Sequence, residues 1–346
     1  AADRDDFSRG RLGIKVQLGK PLGGAMQLIR RAVGPIWPAL FLLVALLSFV
    51  CPRLALALEE VIVSYAGPSV TFLPAEVARQ RGFFREQNLD VKLLLTRSEV
   101  DRAALVSGSV DYTLRAGSSF VSAARGLPVR VVLLGTMKPF WGLVVRPETK
   151  SVSELKGKSM GVPGLLGSQH VSAKFILKHY GLDPDKDVVY RVVETGTRIA
   201  AILSGSIDCS MMDYGEAFRA QKAGLKMLVN AADLHALIAG GLAVNMKKLK
   251  EHPDQVRRMI TALTQTLKYM QDNPEGTQQV MVSWLKLDRD MAGAIYQMAI
   301  NNYTKNGMVE ESMLNSLVTT MLAETGIKGI NVSQLTDFSL LRQVLK

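Results

Sequence analysis

The sequence predicts an α/β protein of two like-built lobes, and two observations carry that prediction. The first is a repeat. Residues 104–111 read Ala-Leu-Val-Ser-Gly-Ser-Val-Asp and residues 201–208 read Ala-Ile-Leu-Ser-Gly-Ser-Ile-Asp, with Ser107/Ser204, Gly108/Gly205, Ser109/Ser206 and Asp111/Asp208 in register at an offset of 97. The second is the context of the two copies. A strand, a glycine-bearing loop, a helix, a glycine turn and a second strand precede each one; a short strand, a polar break, a helix and another glycine follow. Alone, the octamer describes a common joint: an apolar helix end, a Ser-Gly C-cap in the left-handed region, and the start of a strand. Its recurrence with matched flanks marks a duplicated unit. Two such lobes face each other across a cleft, and a cleft of that kind is where a small ligand binds.

The chain has 346 residues, room for two domains or one large bilobed one. Hydrophobic residues make up 48% and charged residues 21%, the balance of a folded globular protein. Residues 1–25 are polar and without periodicity and read as an extension. From Met26 the pattern is that of an export signal: Arg30 and Arg31, an apolar run from Ile36 to Val50, then Ala55-Leu56-Ala57 with small residues at the −3 and −1 positions of a cleavage after Ala57. The competing reading is an uncleaved anchor, because Val33 to Cys51 is almost long enough to span a bilayer. Pro35, Pro38 and the Ala-x-Ala favour cleavage and a periplasmic location. Phe49 and Val50 are too bulky for a lipoprotein box at Cys51.

Without residues 1–57 the chain keeps 34 Lys/Arg against 28 Asp/Glu, a formal balance of +6. These basic residues are scattered and not interleaved with aromatics, which excludes nucleic acid as a partner. The mild positive balance is compatible with an anionic ligand. Cys209 is the lone cysteine left, so the mature chain forms no internal disulfide. On a short apolar strand it is expected to be buried and inert.

The elements follow in order. Val61–Tyr65 is a β-rich run ending in the loop Gly67-Pro68-Ser69. Phe72–Gln80 has helical spacing with Pro74 in its first turn, and Gly82 closes it. Leu89–Leu95 is a strand. Ser98-x-x-Asp101 resembles a capping box and opens the helix that ends in the first octamer. Val110–Leu114 is a strand, Ala116-Gly117-Ser118-Ser119 starts a helix, and Val129–Leu134 is the fourth strand. Phe140–Val145, extended and apolar, crosses to the second lobe. There Met160–Val162, a loop at Pro163–Gln169, a helix at Val171–Tyr180 and a strand at Val188–Val193 repeat the first order. A helix at Arg198–Leu203, a strand at Ile207–Met211, a helix at Tyr214–Lys222 and a strand at Met227–Val229 complete it. After Gly240-Gly241 the pattern reads as helices only, over Pro253–Met270, Gln278–Leu287, Asp290–Asn301 and Glu310–Glu324. The domain reading is lobe one at 58–143 and 240–346 and lobe two at 144–239.

Several stretches carry a family resemblance: Pro74-Ala75-x-x-Ala78-x-x-x-Gly82-Phe83-Phe84, Leu89-Asp90-Val91, Ser107-Gly108-Ser109-Val110-Asp111, Leu155-Lys156-Gly157-Lys158-Ser159-Met160-Gly161-Val162, and the second Ser-Gly-Ser-Ile-Asp. Their order and spacing resemble the nitrate/sulfonate/taurine-type substrate-binding proteins of bacterial ABC importers, which are grouped with thiamine-pyrimidine-synthase-like proteins. The resemblance runs from about residue 60 to the C-terminus. It implies a type II periplasmic-binding-protein fold, two α/β lobes joined by a two-strand hinge with a helical C-terminal tail. It also implies a monomer that captures a small anionic or zwitterionic solute and delivers it to an importer permease. A pyrimidine-precursor enzyme on the same fold and a ligand sensor for a membrane partner are the alternatives.

Ligands of open α/β sheets sit beyond the carboxyl ends of strands, where loops lead into helix N-termini. Unpaired N–H groups there favour anions, and serine hydroxyls add donors. The residues so placed are Gly67, Ser69, Val70 and Thr71; Gly117, Ser118 and Ser119; Gly164, Gly167, Ser168 and Gln169; and Asp213 and Tyr214. Trp141 offers an apolar wall. The same serines and aspartate are also ordinary helix caps. Gly161-x-x-Gly164-x-x-Gly167 lacks the spacing of a nucleotide loop. No G-x-S-x-G elbow occurs, and His170, His179, His235 and His252 show no metal-binding spacing. His170, at a helix start, reads as a solvated helix residue. The cysteine-rich motif of related pyrimidine synthases has no counterpart. The expectation is therefore a binding protein that is not an enzyme, with no cofactor and no metal.

Overall fold

The computed structural model describes residues 57–165 and 167–346. The expected extension and export signal, up to Leu56, lie outside them. The strands are β1 (Glu59–Tyr65), β2 (Leu89–Leu95), β3 (Tyr112–Thr113), β4 (Val129–Leu134), β5 (Trp141–Val145), β6 (Lys158–Val162), β7 (Val188–Val192), β8 (Cys209–Asp213), β9 (Lys226–Asn230) and β10 (Gly241–Asn245). They form two five-stranded sheets, ordered β2-β1-β3-β10-β4 and β7-β6-β8-β5-β9. The two orders are one pattern. Three parallel strands are followed by an antiparallel insert and then the fourth strand, the insert being β10 in the first sheet and β5 in the second.

The chain thus enters the second lobe through the segment before β5 and returns through the segment before β10. The two segments run side by side as a hinge. Thr136 Oγ1 accepts the N–H groups of Ala239 and Gly240 at 2.9 and 3.1 Å, and Met137 O accepts that of Leu237 at 3.0 Å. Gly241 is obligatory here, since a Cβ would lie 2.3 Å from Leu133 O.

The main helices are α1 (Leu73–Arg81), α2 (Ser98–Ser107), α3 (Ala116–Ala124), α4 (Ser168–His179), α5 (Arg198–Ser204), α6 (Tyr214–Lys222), α7 (Pro253–Asp272), α8 (Pro274–Leu285), α9 (Arg289–Ala299), α10 (Glu311–Ala323) and α11 (Ser339–Val344). Helices α8 and α9 close a core that draws Val70 and Leu73 from the first lobe, Phe140 from the hinge and Tyr214 from the second lobe. The tail therefore touches both lobes.

Four expectations are corrected. After Gly240-Gly241 the chain is not helical throughout: β10 comes first, with Leu242, Ala243 and Val244 fully buried on both faces, so it carries no polar alternation to betray a strand. Pro274 does not end the helical pattern until residue 278. It is the first residue of α8, where a missing N–H costs nothing, and Asn273 caps it by accepting from Gly276 N at 2.8 Å. Ser98 is not the N-cap residue: Arg97 holds that position, and the Asp101 carboxylate turns inward to Ser64 and Thr113. The strands expected at 110–114 and 207–211 shorten or shift to β3 and β8, because Asp111 and Asp208 precede them as side-chain clamps.

Those clamps explain the repeat. Asp111 Oδ2 accepts the N–H of Ile62, and Asp208 Oδ2 that of Ser159, each at 2.8 Å and each across 49 residues. Gly108 and Gly205 end their helices at φ 82° and 84°, in the left-handed region. Ser107 and Ser109 hydroxyls meet at 2.9 Å, and Ser204 and Ser206 at 3.0 Å. The octamer is a helix stop fused to a bolt that fixes the middle one of the three parallel strands in its sheet.

Candidate functional site

Loops at the carboxyl ends of β1, β3, β6, β7 and β8 converge on one cavity of about 100 Å³ between the sheets. At roughly 30 Å³ per water, it has room for a few waters or a small ring. From loops of the first sheet Gly67, Ser69, Thr71 and Ser118 line it, with Trp141 at the start of β5; from loops of the second sheet come Gly164, Gly167, Ser168, Gln169 and Asp213. These expected residues are brought together by the fold. Ser69 and Asp213 also cap, Ser69 Oγ accepting from Thr71 N at 3.3 Å and Asp213 Oδ1 from Glu216 N at 2.9 Å. Capping and facing the cavity are compatible here.

Four expected residues do not line it. Val70 is fully buried against the tail helices. Gly117 gives its N–H to Ala239 O at 3.1 Å, and a Cβ on it would lie 2.4 Å from Ser168 Oγ. Its role is to let the lobes approach. Ser119 turns its hydroxyl back to Arg115 O at 2.9 Å, a common alternative for serine in a first helical turn. Tyr214 is fully buried, edge-on to Phe140, and donates to Asn230 Oδ1 at 2.8 Å; burial pushes its hydroxyl up to about 12. Phe140 packs against Tyr303 with ring centroids 4.6 Å apart, under the hinge.

Sequence reasoning missed Arg115, Thr195, Phe72, Ala66 and Ala239, all on the cavity wall. Arg115 immediately precedes α3. Its guanidinium donates to Thr96 O and lies 3.8 Å from Asp101 Oδ1. Asp101 is itself held by the hydroxyls of Ser64 at 2.5 Å and Thr113 at 3.0 Å. Burial lowers the Arg115 pKa and Asp101 opposes that shift. A basic residue directly before the Ala-Gly-Ser-Ser helix start was the available signal. Trp141 is buried, and its indole N–H has no hydrogen-bond partner among the described residues.

His170 is buried rather than solvated, edge-on to Tyr190 at 4.4 Å, and burial depresses it to about 4. Cys209 is buried and burial pushes its thiol up. Among the described residues no group of three or more His, Cys, Asp or Glu is placed to hold a metal. Nor is any described helix long and apolar enough to cross a membrane.

A family described as NMT1/THI5 like matches residues 69–277. The chain belongs to the NMT1/THI5-like family. Curated relatives divide between catalysis and binding. A 4-amino-5-hydroxymethyl-2-methylpyrimidine phosphate synthase of Candida albicans is 30% identical over 58% of this chain and 64% of its own length. The riboflavin-binding protein RibY of Chloroflexus aurantiacus is 26% identical over 60% of this chain and 61% of its own. The chain thus spans less than two thirds of either protein.

Solved structures of the same fold include a ligand-binding component of an ABC-type import system from Staphylococcus aureus (TM-score 0.69, 13% identity, 83% of this chain and 99% of that one). The periplasmic nitrate-binding protein NrtA of Synechocystis is another (TM-score 0.67, 12% identity, 83% and 88%). The expectation of no enzymatic activity is corrected by the synthase relatives. Missing catalytic motifs do not separate this NMT1/THI5-like chain from enzymes.

Proposed function

We propose that this protein encloses a small, pyrimidine-class solute between its lobes and, as an exported monomer, hands it to an ABC-importer permease. The observation that carries the reading is the cavity wall itself, to which loops of both sheets contribute polar side chains: Ser69 and Ser118 from one, Ser168, Gln169 and Asp213 from the other. A ligand touching both walls binds the closed arrangement better than the open one and so drives hinge closure. The import-system proteins of the same fold support delivery, and the synthase relatives support the pyrimidine. A second reading rests on those same relatives: the cleft converts the pyrimidine it holds.

The test is thermal stabilisation by 4-amino-5-hydroxymethyl-2-methylpyrimidine and by its phosphate ester, followed by mass spectrometry of the recovered compound. Stabilisation with the compound intact supports capture, and a mass change supports conversion. Ser118→Phe with Ser168→Phe fills the cavity and should abolish stabilisation while leaving circular dichroism unchanged. An unaltered shift in that variant places the ligand elsewhere.

A further inference from the structure

Beneath the second-lobe wall of the cavity lies Arg198, fully buried at the start of α5. A guanidinium has five N–H donors and no acceptor. All five are used here. Nε donates to Glu216 Oε1 at 3.3 Å, and Nη2 to Glu216 Oε2 and to Thr195 Oγ1 at 3.1 Å; Nη1 donates to Met211 O at 2.6 Å and to Gln169 Oε1 at 2.9 Å. Arg198 therefore has nothing left for a ligand, and it does not line the cavity. Gln169 and Thr195 do.

The contact has a consequence for those two side chains. Because the guanidinium cannot accept, the Gln169 amide must turn its oxygen to Arg198, which leaves its NH₂ for the cavity. The Thr195 oxygen likewise accepts from Arg198, so its proton is the part free to be given away. We propose that Arg198 is a positioning residue that sets the polarity of the second-lobe wall, making Gln169 and Thr195 donors and selecting ligands that present hydrogen-bond acceptors. This inference deepens the capture reading and rests on it. Trp141, also on the cavity wall, carries a buried indole N–H without a hydrogen-bond partner among the described residues. Asp213, on the same wall, has its Oδ1 accepting from Glu216 N at 2.9 Å, and burial pushes the Asp213 and Glu216 carboxyls upward in pKa. The acceptors selected belong to a phosphate ester or to the nitrogens of a pyrimidine ring, and the two sources are separable.

The experiment compares 4-amino-5-hydroxymethyl-2-methylpyrimidine with its phosphate ester by calorimetry. Gln169→Glu keeps an oxygen for Arg198 but replaces the NH₂ with a second acceptor. It should weaken whichever compound binds by about tenfold or more, the cost of facing acceptor to acceptor. A loss confined to the ester assigns the acceptor to phosphate, and an equal loss for both assigns it to the ring. Thr195→Val should cost less. Arg198→Met with Glu216→Met removes both members of the buried ion pair together and should reproduce the Gln169→Glu loss with the fold retained. Unchanged or tighter binding in Gln169→Glu, or in the Met pair, overturns the proposal. If the native protein binds neither pyrimidine, the pyrimidine reading falls alone. Inorganic phosphate and methylammonium then decide polarity: stabilisation by phosphate that Gln169→Glu abolishes upholds it, and stabilisation by methylammonium only overturns it.

Discussion

The two lobes repeat one backbone but reverse the charge beneath their cleft walls. Asp101 in the first lobe and Arg198 in the second are 97 residues apart, the offset of the repeat, and both are buried. Asp101 gathers hydroxyls from Ser64, Thr96 and Thr113 and stands beside Arg115, a residue of the cavity wall. Arg198 reverses the arrangement: its cation is sealed away on Glu216, and its neutral partners Gln169 and Thr195 line the cavity. The positions that fix the backbone, Asp111 and Asp208, have stayed the same. Duplication has conserved the frame and diversified the floor, so the buried charge is an anion beneath one wall and a cation beneath the other.

The sharpest way to break this comparison is to truncate each buried charge. Arg198→Ala strands Glu216 in a dry site and should cost about 3–5 kcal/mol of unfolding free energy. Asp101→Ala leaves hydroxyls without their acceptor, a cost of about 1–3 kcal/mol. Urea denaturation of both variants measures the difference. Equal costs, or a larger one for Asp101, would mean that the second-lobe pair is no more deeply committed than the first.

A smaller effect tests the conserved frame. Asp111→Ala and Asp208→Ala each remove one bolt to a middle strand and should cost about 1–2 kcal/mol apiece. Lys248 lies 2.6 Å from Asp111 and Lys158 lies 3.9 Å from Asp208, so the first-lobe variant should be the costlier. Burial works against the charged form of Asp208, yet the Ser159 N–H and hydroxyl prevail and hold its carboxyl below the usual range. A carboxyl depressed in the folded state stabilises it at all pH above the ordinary carboxylate range and loses that contribution as pH falls through the lowered value. Asp208→Asn should therefore flatten the acid side of the stability–pH curve. A curve parallel to that of the native protein would show that the bolt does not titrate with folding.

The frame was legible because its signals are local. Gly108 and Gly205 need a left-handed turn, the Ser-Gly-Ser-Val/Ile-Asp string recurs whole, and α6 begins and ends where its spacing says. Strand β10 was not, since a strand buried on both faces and introduced by two glycines has no period to read. Within the site, residues in loops at strand ends could be named from the chain order alone. Arg115 and Arg198 could not, because what distinguishes them from surface arginines is a partner 14 to 29 residues or more away: Asp101 for one, Glu216 and Gln169 for the other. Ser119 and Ser118 are adjacent and of one type, yet the first bonds back to Arg115 O and the second faces the cavity. Helix phase separates them, and the phase is set by packing.

The smallest expected effect lies where the two lobes meet. Arg97 and Glu194 are again 97 residues apart, each following the second strand of its lobe, and they pair with each other at 2.5 Å. Equivalent positions of a duplicated unit meet only near the axis relating the copies, so this pair sits where closure brings the lobes into register. Both side chains are largely exposed, and an exposed pair contributes little in salt. Arg97→Glu sets two carboxylates against each other there. It should weaken solute binding about two- to threefold at low ionic strength and less at high. Glu194→Arg added to it should restore the affinity, because the swapped pair has the same geometry. Dissociation rates at two salt concentrations read the effect. A loss that the reversed pair does not repair would move the contribution from the ion pair to the loops that carry it, and the symmetry between positions 97 and 194 would then be one of backbone alone.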